Sequence, residues 1–117
     1  MRYLLTTCFM AILSVGWSQA ISAEELQGYY SGSEGSIVLR ADGSASLPSA
    51  LKDPSADGVR WRQSGDDSVW LTPFYYSGPR EFNNTYDLTP VMFNVERRDG
   101  KIVLSTRTLM GSYSFSK

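Results

Sequence analysis

Val91-Met-Phe-Asn-Val-Glu-Arg-Arg-Asp-Gly-Lys-Ile-Val-Leu104 is the stretch that decides the fold. Val91, Phe93 and Val95 recur at every second residue, the period of a strand that buries one face. Asp99-Gly100 follows, a pair that tolerates the positive φ of a tight turn, and Lys101–Thr106 returns as a second run. The stretch therefore reads as a β-hairpin with Phe93 and Val95 on the core face, opposite Ile102 and Leu104. Working outward, the same device repeats. Gly111–Ser116 alternates strictly, with Tyr113 and Phe115 on one face. Ser68–Phe74 and Val59–Gln63 flank a turn at Ser64-Gly65-Asp66-Asp67. Ser36–Arg40 and Ala45–Leu47 flank Asp42-Gly43, for which the dipeptide predicts a type I′ turn. Leu26–Ser31 reads as a first strand.

No segment after residue 24 holds a 3.6-residue apolar period over ten residues. The chain is therefore all-β, with seven to eight strands in an antiparallel meander. That many short strands must hide their edges, so a small up-and-down barrel or a strongly curved sandwich is expected. Two segments break the rhythm: a polar loop over Pro48–Gly58 and an aromatic connection over Tyr75–Pro90. Ser49–Lys52 has room for one helical turn before Pro54. Long connections in compact domains carry function more often than chance, which directs attention to these two.

The first 23 residues read as an export signal. Arg2 precedes a charge-free run from Tyr3 to Trp17, small residues follow, and Glu24 and Glu25 supply the first acids. The run is about 15 residues, shorter than the ~20 that span a bilayer, so a stable membrane anchor after cleavage is not expected. Cys8 lies inside the run, where it cannot serve as a lipid attachment site. Two cuts are open, after Ala20 and after Ala23, and the second leaves a domain over 24–117. Periplasmic or secreted localisation follows.

The 117 residues suit one domain. Eleven basic residues face twelve acidic ones, and cleavage of Arg2 leaves ten against twelve. That balance gives no attraction for nucleic acid or anionic lipid. Without histidine, and with Cys8 removed, the exported chain lacks the residues of nucleophilic triads and of soft-metal sites. Asp42, Asp66, Asp67 and Asp99 sit where turn chemistry alone explains them. The expectation is no catalytic residue, no metal and no cofactor. Asn83-Asn-Thr85 matches a glycosylation acceptor, relevant only in a eukaryotic secretory pathway.

Phe74 to Tyr86 is the sharpest feature. Tyr75, Tyr76, Arg80, Phe82 and Tyr86 among Asn, Ser and Gly give the composition of a recognition surface, where rigid amphipathic rings supply contact area. The same rings could stack on a sugar, cover an apolar ligand, or simply plug a barrel end. Arg60 and Arg62 flank Trp61 on an outward strand face, and cross-strand carboxylates would explain them and Arg97-Arg98.

Leu26-Gln-Gly-Tyr-Tyr30, Ile37–Gly43, Trp61, Val69-Trp-Leu71 and Phe93–Leu104 together resemble small lipocalin-like β-barrel domains of exported bacterial proteins. That resemblance implies a barrel that binds an apolar ligand or another protein. Ser55-Ala-Asp-Gly-Val-Arg-Trp61 is similar to the inhibitory loop of periplasmic inhibitors of c-type lysozyme, Ser-Ala-Ser-Gly-Ala-Arg-Tyr. Here Asp57 replaces the middle Ser, Leu71-Thr72 replaces the family's Lys-Gly, and its paired cysteines are missing. The expectation is a monomeric, non-catalytic binding module that engages a small ligand or an exported protein through residues 74–86. The alternative is a proteinaceous inhibitor of a cell-wall hydrolase acting through Ser55, Asp57, Arg60 and Trp61.

Overall fold

The structure is a computed structural model and describes residues 21–117. The charge-free run from Tyr3 to Trp17, read above as an export signal, lies outside the described residues. A short helix α1 (Ala23–Leu26) leads into strands β1 (Gly28–Gly32), β2 (Gly35–Leu39), β3 (Ser44–Ser46) and β4 (Gly58–Gln63). Then come β5 (Ser68–Tyr76), β6 (Thr85–Asp87), β7 (Val91–Arg98), β8 (Lys101–Thr108) and β9 (Gly111–Ser116). Every pairing is antiparallel. The order β1-β2-β3-β4-β5-β7-β8-β9 returns to β1 through Ser31↔Ser116, so eight strands close into an up-and-down barrel. The sandwich is ruled out. Strand β6 stands outside the barrel and, among the described residues, pairs with β5 alone.

The deciding hairpin forms as its alternation requires. Asp99 and Gly100 both take positive φ, the type I′ combination. Phe93, Val95, Ile102 and Leu104 are all buried, and Val95 pairs with Leu104. They join Tyr30, Ile37, Leu39, Val59, Val69, Leu71 and Phe115 in one interior cluster. An eight-stranded barrel is about wide enough for side chains to fill it, and these do.

Three local expectations are corrected. Asp42-Gly43 is not type I′, because only Gly43 has positive φ. Asp42 instead accepts from the Ser44 amide and hydroxyl at 2.9 and 2.7 Å, a side-chain bond that fixes a different turn. Leu26 belongs to α1 rather than to the first strand. Ser22 caps that helix by accepting from the Glu25 amide, and Glu24 and Glu25 suit the positive end of its first turn. The Tyr75–Pro90 connection is not all loop, because β5 runs on to Tyr76 and Thr85–Asp87 forms the ninth strand.

The barrel has two unlike ends. At one, α1 inserts Leu26, and Ile21 packs beside it. Gln63 at the end of β4, Arg97 near the end of β7 and Lys117 after β9 all bond back to this corner. The opposite end carries the 48–57 loop, whose Leu51 packs on the core, and the β5–β6 hairpin.

Candidate functional site

Strand β5 has nine residues because it serves two partners in succession. Ser68–Leu71 pair with β7 inside the barrel wall, whereas Phe74–Tyr76 pair with β6 beyond it. Strand β4 runs alongside through Gly58↔Phe74. The hairpin therefore projects past the rim of the barrel. Its tip is a single 3-10 turn, Arg80–Phe82, ended by Asn83 in the left-handed region that asparagine tolerates.

Alternation divides the hairpin's side chains between two faces. Phe74 and Tyr76 point to the outer face and meet edge to face, with centroids 5.7 Å apart. Arg60, one strand over, lays its guanidinium 4.1 Å from the Phe74 ring centre. The same guanidinium donates to Asp87 at 3.4 Å and to Thr85 at 3.3 Å, which ties β4 to β6 across β5. Arg80 covers Tyr76 at 5.2 Å, and Arg62 lies 5.5 Å from the Trp70 ring. Three arginine–aromatic stacks thus run along one outer surface, each attracting cation to ring. Tyr75 and Tyr86 occupy the other face as a directly opposed pair, with centroids 5.6 Å apart.

Asp57 locks the polar loop onto this hairpin. Its amide donates to the Phe74 carbonyl, and its carboxylate accepts from the Tyr76 amide, each at 2.7 Å. The side chain thereby continues the β4 ladder one step further than the backbone does. Gly58 makes the junction possible, since a Cβ there would lie 2.7 Å from the Phe74 ring. Arg40, Ser44, Gly58, Arg60, Phe74 and Tyr76 line the resulting groove, about 530 Å³ in volume.

The two sets of candidate residues thus form one region, although not one face. Asp57, Arg60, Tyr76 and Arg80 share the outer surface. Tyr75 and Tyr86 back it, and Phe82 stands at the tip, 69% exposed. Trp61 departs from the set: it packs against the core and donates its indole N–H to the Arg40 carbonyl at 2.7 Å. Ser55 is held by Asp53, to which its amide and hydroxyl donate at 2.9 and 2.7 Å. The rings do not plug the barrel, since Phe82 and Tyr86 are exposed and Tyr75 is partly so. Searches of protein-family models, of curated proteins and of solved structures return no match for the chain. The barrel is an architecture shared by many unrelated functions, and it alone ties the chain to neither family it resembles.

Thr85 and Asp87 join the site without a sequence signal of their own. Their roles depend on β6, a three-residue strand too short to show a period. Among the described residues, β6 pairs on one side only. Ser77 donates to the Asn84 carbonyl and Leu88 to that of Pro73, so the alternation turns the Thr85 and Asp87 backbone groups outward, away from β5.

Proposed function

We propose that the protein is an exported, non-catalytic binding module that grips another protein with the projecting β5–β6 hairpin. The observation that carries this reading is the exposure of Phe82 and Tyr86, 69% and 57%, on a hairpin that ion pairs and stacked rings brace at its base. Exposed aromatic anchors on a pre-ordered element lose little conformational freedom on binding. The free edge of β6 adds main-chain donors and acceptors that an extended segment of a partner can continue. A protein partner is favoured over a small apolar ligand because the barrel interior is filled by its own core. The lysozyme-inhibitor reading takes second place, since Ser55 and Arg60 already spend their polar groups within the chain.

The test is crosslinking capture from a periplasmic extract with the purified domain, followed by titration of the captured protein. Phe82→Ser with Tyr86→Ser is expected to weaken binding at least tenfold. Tyr29→Ser, which removes a ring 62% exposed on β1, is expected to leave it unchanged. Equal affinity for all three proteins would overturn the assignment of the hairpin. Inhibition of a c-type lysozyme that survives Phe82→Ser/Tyr86→Ser but fails with Arg60→Ala would favour the second reading.

A further inference from the structure

Ile21 and Ser22 are integral to the folded domain, and this bears on where the leader is cut. Ile21 is 5% exposed within the core cluster, and its carbonyl accepts from Gln63 Nε2 at 2.7 Å. Ser22 caps α1 through its hydroxyl, and its carbonyl accepts from the Leu26 amide at 3.1 Å. Leu26 is fully buried, and its own carbonyl takes the Tyr30 hydroxyl at 2.6 Å. Ala23 is the first residue of the helix. A cut after Ala23 would strip α1 of its cap, its first residue and a carbonyl acceptor, and would remove a buried side chain beneath it. A cut after Ala20 removes none of these, and Ser18 and Ala20 supply the small residues such a cut requires.

We propose that the leader is removed by hydrolysis of the Ala20–Ile21 peptide bond, so that the exported chain begins at Ile21. The proposal rests on the export reading given above. A leader-cleaving protease adds one water across the bond, leaving a carboxylate on Ala20 and an α-ammonium on Ile21. Ile21, Ser22, Gln63, Gly65 and Asp66 line one depression of about 490 Å³, so the new positive charge arises beside a depression that an acidic residue, Asp66, also lines.

The full chain, expressed with its own leader in a Gram-negative host, is recovered from the periplasm and weighed intact. A mass beginning at Ile21 is expected. A mass beginning at Glu24 overturns the proposal and leaves export standing. An uncut chain beginning at Met1 overturns the export reading beneath it. Ala23→Leu provides the second measurement, because Ala23 is exposed and stands outside the core cluster. Its processing is expected to match wild type, whereas Ala20→Leu is expected to accumulate precursor. Failure of Ala23→Leu to be cut, with Ala20→Leu cut normally, would assign the bond after Ala23 instead.

Discussion

Tyr30 has two duties at one position, filling the barrel interior and holding the plug at its end. Its ring is fully buried, and its hydroxyl donates to the Leu26 carbonyl. Tyr30→Phe keeps the packing and orphans that carbonyl, so it is expected to cost about 1 kcal/mol in urea unfolding at neutral pH. A second consequence lies at alkaline pH. Burial raises the Tyr30 phenol above its ordinary 10.0, because the phenolate would lose its hydration. A raised pKa in the folded state means stability that is whole below pH 10 and lost as pH rises beyond it. Lys117, held below its usual value by desolvation, acts in the opposite sense, so the informative comparison is between the two proteins. The melting temperature of Tyr30→Phe is expected to fall less between pH 9 and 11 than that of wild type. Identical slopes would show that the phenol does not govern the alkaline limb.

The β4–β5 pair closes at its outer end on a residue that has no room for a side chain, Gly58. At Gly58 an added Cβ would meet the Phe74 ring at 2.7 Å, and a flat ring wedged under Arg60 has nowhere to go. Gly58→Ala is therefore expected to cost about 1–3 kcal/mol, the usual penalty of overpacking. It should also raise amide exchange at Tyr76, whose N–H is held by Asp57. Unchanged exchange there would mean that the hairpin is braced from β6 alone. This element also marks the limit of what the sequence discloses. Strands β7 and β9 are readable because each alternates over six residues with one face buried. Strand β8, with Ile102, Val103 and Leu104 all buried, is readable from the Asp99-Gly100 turn that pairs it with β7. Beyond Leu71, β5 parts from β7 and keeps β4 only as far as Phe74, which is buried on the outer face under Arg60, so burial no longer tracks parity. The stretch around Tyr75 therefore shows no strand period, and the three residues of β6 are too few to supply one.

Across the whole molecule, the closure was foreseeable and its locking contacts were not. Many short strands demand a closed sheet, but the ties at Glu25, Arg97 and Lys117 join residues more than seventy positions apart. No local pattern reports such pairs. They do predict a response to acid. Arg97 holds the Glu25 carboxyl below its ordinary 4.5, and bonds from Ser44 and Ser55 hold Asp42 and Asp53 below 3.8. Depressed values give stability that is complete above those figures and is lost as pH falls through the folded-state ones. Thermal melts from pH 6 to 2.5 are expected to show that loss, with a shallower limb for Arg97→Gln; equal limbs would remove Glu25 from the account. The same corner gathers Ile21 and Lys117, the two ends of the described residues, with Lys117 reaching the carbonyls of Glu25 and Gln27. A tether placed at either terminus therefore emerges from one pole of the barrel, while the β5–β6 hairpin stands at the other. Coupled to a sensor chip beside Ile21 or beside Lys117, the domain presents the hairpin to the solution either way.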